Sequence, residues 1–319
     1  MKQYLLLAAG LLAATPQYAQ TKPGNPHTLL WKITGKGDAR PSYLFGTMHI
    51  LCADDAALGD SLKSAIANVD EVYFEINLGD MSDMIGAIGY MRMNDGKKLS
   101  DLLTPAEYQR VRAYFDTHQS MVPFAMLEQF KPMLISGLIE EQGLGCETTD
   151  GMEMQIMKEL GVQRSALGLS SGAAKKPIRG LETAAFQASL FDSIPYEKQA
   201  KELVDDIDSV DQNRKNTQEL ASLYQKQDLD GIEALSDKDD PEMKGYMDLI
   251  LYDRNRKWAK ALDTLLTRKS LLIAVGAGHL PGAQGVIQLL RKEGFTVEPV
   301  MNKFGKSATA SVARSAPNR

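Results

Sequence analysis

Histidine and cysteine are scarce in this chain: four and two among 319 residues. Each one therefore carries more information than a typical residue. Positive charge is also short. The net charge is −5, and no basic stripe appears outside the C-terminal tail, which argues against a nucleic-acid partner. After an apolar run at residues 5–14, no stretch is long enough to span a bilayer. There is no His-Glu-x-x-His, which excludes an ordinary zincin. The glycine-rich loop 276–282 lacks a P-loop lysine and is interrupted by His279 and Leu280, so it is a poor phosphate cradle.

A hydrophobic content of 44% and a charged content of 24% are those of a globular protein with ample core material. Lys2 followed by the ten-residue apolar run, with Gln17-Tyr18-Ala19 as the cut, reads as a signal peptide over residues 1–19. The expected product is an exported protein, periplasmic or extracellular, with no stable membrane span once the signal is cleaved. Residues 20–27 form a Pro/Gly linker, 28–302 the folded domain, and 303–319 a polar, disordered tail. Export permits a disulfide. A Cys52–Cys146 bridge would brace the loop after His49; the alternative is two unpaired small apolar residues.

Apolar patterning predicts strands at 29–33 and 43–49, joined as a hairpin. A helix comes next over 58–69, with Asp54 or Asp55 as its cap, and then a strand at 71–77. That strand–helix–strand unit predicts two parallel strands, usually adjacent, ending on one sheet edge. Residues 80–265 read as mostly helical, with Met-rich 81–93 as a lid or groove wall and 123–144 kinked or split at Pro132. Two long polar helices are expected at 197–235 and 241–268. A buried strand or tight connection is expected at 165–169, and a strand leading into a helix at 178–183. Apolar 271–275 is a central strand; Pro281 opens a helix over 283–293, and 295–300 is the last strand. The fold class is α/β (α+β): a central mixed sheet formed from the N- and C-terminal segments, with a large helical middle region.

Two strands end in the same way, as Gly46-Thr47-Met48-His49 and Gly276-Ala277-Gly278-His279. With this composition only about 0.3 Gly-x-x-His occurrences are expected by chance. Imidazole is the commonest metal ligand and the usual base near neutral pH. Two histidines and a carboxylate form a recurring metal set, and Glu75, at the end of an apolar strand, is the candidate carboxylate. The alternative for each is a hydrogen-bonded structural histidine and a rim glutamate. Glu182 at another strand end, Glu147 and Glu153 beside Cys146, and Arg254-Asn255 on a helix are further candidates. His27 and His118 read as surface residues.

Five motifs in order then resemble the TraB/GumN family, which includes the Tiki proteins. They are Leu44-Phe45-Gly46-Thr47-Met48-His49, Val72-Tyr73-Phe74-Glu75, Gly180-Leu181-Glu182-Thr183 with Gln187, Arg254-Asn255, and the segment Ala274 to Gly282. The resemblance implies a divalent-metal-dependent protease or hydrolase, with Mn2+ or Co2+ as the ion and Zn2+ as an alternative. His49, His279 and Glu75 would be the metal ligands. In such a hydrolase Glu75 or Glu182 would shuttle the proton, and Arg254 would steady the developing oxyanion or a substrate carboxylate. The implied partner is a peptide or protein substrate. A non-catalytic protein of the cell envelope that binds and sequesters peptides is the alternative. The family often carries Gly-x-Asp where this chain has Gly151-Met152-Glu153, and many members lack a cysteine like Cys52.

Overall fold

Strand β9 (Leu271–Gly276) is apolar from its first residue to Val275, and every one of those side chains is buried. That pattern requires cover on both faces and neighbours on both sides. The computed structural model describes residues 26–36, 40–118, 120, 122–146, 148–164, 170–236 and 243–305. In it β9 sits inside a six-stranded sheet ordered β10-β1-β2-β9-β4-β8. The other members are β1 (Leu30–Thr34), β2 (Ser42–Thr47), β4 (Glu71–Ile76), β8 (Ile178–Glu182) and β10 (Thr296–Val300). Two short ladders complete the strands: β3 (Leu51–Cys52) pairs with β5 (Thr149–Asp150), and β6 (Gln163–Arg164) with β7 (Ser170–Ser171).

Strands β2, β9, β4 and β8 run parallel, while β1 is antiparallel to both β2 and β10. The mixed sheet and the hairpin match the sequence expectation. The adjacency of β2 and β4 does not: β9 lies between them. A buried, wholly apolar strand gains most at the centre, so the C-terminal strand separates the two N-terminal ones. Pro299 lies in β10, at the sheet edge, where a missing N–H breaks no inner ladder.

Helices Asp60–Asn68, Asp253–Leu265 and Val286–Lys292 bury Leu62 and Ile66, Trp258 and Leu262, and Ile287 and Leu290 in the same core as the strands. A second core joins Val111, Phe115, Leu127, Ile135, Ile139 and Leu203 in the helical middle region. The expected split at Pro132 is present, with helices Phe124–Leu127 and Pro132–Gly143. Several boundaries differ from expectation. Asp54 and Asp55 sit in a 3-10 turn, and the helix begins at Asp60 after Gly59. The segment 197–235 is three helices, Tyr196–Asp208, Val210–Gln225 and Leu229–Ser236, the last break falling at Gln227 with φ 56°. The last helix starts at Val286 rather than near Pro281. Residues 1–25, 165–169, 237–242 and 306–319 lie outside the described residues, and with them the signal peptide, most of the linker, the 165–169 strand and most of the tail.

Cys52 and Cys146 are joined in a disulfide, with Cα atoms 5.7 Å apart. The bridge and the β3–β5 pair fasten the loop after His49 to the segment leading into helix Met152–Glu159. Among the described residues, no helix is long and apolar enough to cross a membrane.

Candidate functional site at the carboxyl edge of the sheet

Four adjacent parallel strands finish on one edge, where open α/β sheets carry their ligands. Thr47 pairs with Gly276, and Ile76 with Glu182. His49 and His279 therefore leave the ends of neighbouring strands, and Glu75 and Glu182 stand at the ends of the next two. A methyl group added at Gly276 would lie 3.2 Å from Glu75 Oε1, 3.6 Å from His279 Cδ2 and 3.7 Å from His49 Nε2. The structure thus brings His49, His279 and Glu75 around one glycine, whose lack of a Cβ leaves room for them.

Glu75 is buried and saturated. Oε1 accepts from the Gly276 amide at 2.8 Å; Oε2 accepts from Arg254 Nη2 at 2.5 Å and Gln187 Nε2 at 2.8 Å. Burial pushes its carboxyl up, but attraction to His279, Arg254 and His49 and the Gly276 amide outweigh that and hold it at about 2. Glu182 accepts from Arg254 Nε at 2.7 Å and from Trp258 Nε1 at 3.2 Å. Here burial wins over Arg254, and the carboxyl is raised. One guanidinium thus holds two carboxylates whose environments push them in opposite directions.

Arg254, Asn255 and Trp258 come from helix Asp253–Leu265. Arg254 and Trp258 are four residues apart, on one face, with the guanidinium 4.8 Å from the indole centroid. Arg254 Nη1 also donates to Ile250 O at 2.9 Å. Asn255 Nδ2 donates to Gln284 O at 2.9 Å and His279 O at 3.3 Å, which turns its Oδ1 toward His279 Nδ1 at 2.6 Å. The network therefore assigns the proton to Nδ1 and leaves the Nε2 lone pair facing Arg254 Nη1 at 3.3 Å and Glu75 Oε1 at 3.7 Å. Burial lowers His279 to about 4, against the pull of Glu75.

His49 differs. Its side chain is 63% exposed, and Nδ1 meets Glu153 Oε1 at 2.7 Å. Attraction to the Glu153 carboxylate, opposed by desolvation, raises the imidazole to about 9. Glu153 is held ionised in turn: burial pushes it up, and His49 brings it below its usual range. Gly151 opens the way, since a Cβ there would collide with the His49 carbonyl oxygen. The Tyr224 hydroxyl donates to Gly46 O at 2.8 Å and fixes the end of β2.

Beside His49 lies a cavity of about 570 Å³ between helices Pro132–Gly143, Tyr196–Asp208 and Val210–Gln225. The Met-rich helix Met81–Met91, expected as a lid or groove wall, does not line it; that helix packs on Ala184–Leu190. Spacing marked Glu153 only as a carboxylate beside Cys146. Its partnership with His49 depends on a reversal of the chain through the disulfide that no local pattern announces. Glu147 lies outside the described residues. Trp258 was not anticipated, although its i+4 distance from Arg254 was a signal. His27 is exposed, as expected, and His118 stacks on Tyr114 at 4.2 Å.

Both histidines are set up as metal-binding imidazoles usually are, with Nδ1 on a side-chain oxygen and Nε2 toward the site. With Glu75 they form a donor set of the right chemical type for a divalent cation. Among the described residues, however, no three His, Cys, Asp or Glu side chains are drawn together as a finished metal-binding group, and Arg254 reaches both Glu75 and His279.

Comparison with known proteins finds relatives that match most of this chain. Metalloprotease TIKI2 of Danio rerio is 23% identical, over 85% of this chain and 61% of its own length. A metalloprotease TIKI homolog of Amphimedon queenslandica is 24% identical, over 92% of this chain and 65% of its own. Human metalloprotease TIKI1 is 22% identical, over 85% of this chain and 62% of its own. The chain thus spans somewhat under two thirds of the length of these relatives. No solved structure matches significantly. The profile of the TraB/PrgY/gumN family matches residues 29–299, from the first strand through both histidine motifs and the Arg254 helix to the last strand, and the chain belongs to that family.

Proposed function

We propose that this protein is a divalent-metal-dependent hydrolase acting on peptides or protein termini. The observation that carries the reading is the convergence of His49 Nε2, His279 and Glu75 on Gly276, at the carboxyl edge of four parallel strands. His49, His279 and Glu75 would hold the ion, with Mn2+ or Co2+ as first choice. A bound ion of this kind polarises a carbonyl and lowers the pKa of water.

The opposite environments of the two glutamates support a division of labour. Glu75, held ionised, suits the ligand role, whereas Glu182, raised by burial, suits proton transfer. Arg254 is buried with its donors committed to Glu75, Glu182 and Ile250 O, which supports a positioning role rather than contact with substrate. His49 is an imidazolium at neutral pH in the ion-free chain, so taking up the ion releases its proton and affinity rises with pH. The Cys52–Cys146 bridge supports an exported protein in an oxidising compartment, periplasmic or extracellular.

Peptide sequestration without turnover is the second reading. The position of Arg254 between Glu75 and His279, where a cation would sit, favours it. Cleavage of a mixed peptide library, followed by mass spectrometry with Mn2+, Co2+ or Zn2+ added in turn, separates the two. The hydrolase reading expects products that vanish in His49→Ala and His279→Ala. Peptide binding with no product under any of the three ions would favour sequestration.

A further inference from the structure

The cavity beside His49 carries a strong charge bias. Among the described residues that line it, Glu140, Glu202 and Asp206 are acidic and none is a lysine or arginine. Its apolar wall is Met48, Met133 and Leu220. Into this space faces Ser136, 8% exposed, whose Oγ has no hydrogen-bond partner of acceptable geometry although it lies near enough to Asp206 to favour that carboxylate's charge. A buried hydroxyl left without a partner costs about 1–3 kcal/mol unless something polar arrives to meet it. Burial raises the Asp206 carboxyl, against Ser136 and the Asn213 amide that donates to it at 3.1 Å, and a cation in the cavity would offset that burial.

We infer that this cavity is the substrate subsite next to His49, and that it selects a peptide carrying a cationic group beside an apolar residue. The ammonium or guanidinium lies on Glu202 and Asp206, the apolar side chain on Met48, Met133 and Leu220, and Ser136 hydrogen-bonds the entering peptide. The cation is either the peptide's α-ammonium or a Lys or Arg side chain; both present the same chemistry to the carboxylates. The inference rests on the hydrolase reading for its orientation toward His49. Its charge preference is independent of turnover.

The test is fluorescence anisotropy with the purified protein in EDTA, so that binding is read without cleavage. The probes are a labelled octapeptide with a central Leu-Lys, its acetyllysine form, and its N-acetylated form. The cationic peptide is expected to bind roughly tenfold tighter than whichever acetylated form removes the recognised charge, and that form identifies the source of the cation. Glu202→Gln with Asp206→Asn should erase the discrimination. The single variants, each kept only if its circular dichroism is native, should each give part of the loss. Equal affinity for all three peptides, no measurable binding of any, or discrimination that survives the double variant would overturn the inference. Discrimination in EDTA with no cleavage under added metal would leave the subsite standing and remove the hydrolase reading. Cleavage without charge preference would do the reverse.

Discussion

His49 and His279 occupy equivalent places, three residues after a glycine at the ends of adjacent parallel strands, yet their surroundings are opposite. His279 is 5% exposed, neutral, and locked by Asn255 between Arg254 and Trp258. His49 is 63% exposed and charged against Glu153. The difference arises from the path the chain takes on leaving each strand. After β9 it makes a 3-10 turn, Ala277–His279, against the helix Asp253–Leu265, whereas after β2 it runs along the cavity, through Met48, His49 and Ile50, to β3 and the disulfide. One motif thus yields a fixed inner group and an outer one open to solvent.

Loss of a charged partner should cost far more on the inner side than on the outer. Arg254→Met leaves Glu75 and Glu182 buried without their shared cation and should cost about 3–5 kcal/mol in urea unfolding. A loss below about 1 kcal/mol would break the contrast. On the outer side, Cys146→Ser removes the bridge that ties the His49 loop to the Glu153 segment. A loss of about 2–5 kcal/mol is expected, with the His49 Nδ1–Glu153 contact weakened in NMR titration of the ring.

In the ion-free protein the two rings should impose opposite pH dependences. His279 titrates near 4 when folded and 6.5 when unfolded, so the unfolded chain takes up its proton first. Stability should fall by up to about 3 kcal/mol as pH drops from 6.5 to 4, and His279→Gln should lack that slope. His49 titrates near 9 when folded, so its contribution is full below 6.5 and fades as pH rises through 9. Solvent screening of so exposed a ring limits that contribution to about 1 kcal/mol or less, which is also the expected cost of Glu153→Gln. Denaturation midpoints across the two pH ranges test both signs.

Much of this edge was legible in the sequence because its signals are local. A run such as Leu271–Val275 admits little but a central strand, and Glu75 and Glu182 are polar residues at the ends of strands. The insertion of β9 between β2 and β4 was not legible, since pairing across some 200 residues leaves no periodicity. Nor were the partners that set each imidazole. Glu153 reaches His49 only through the β3–β5 ladder and the disulfide, and Asn255 reaches His279 only because the turn after β9 folds back on its helix. The helix breaks near Ser209 and Gln227 were missed because polar helical propensity runs through both; at Gln227 a left-handed residue imposes the turn.

The central claim is that these two unlike histidines belong to one metal site. Titration of the protein with Co2+, followed by its visible absorption, tests it directly. Saturation is predicted at one ion per chain, with affinity that increases toward pH 9 as His49 gives up its proton, and with loss of the signal in both His49→Ala and His279→Ala but not in His27→Ala. Undiminished binding in both site variants would contradict it.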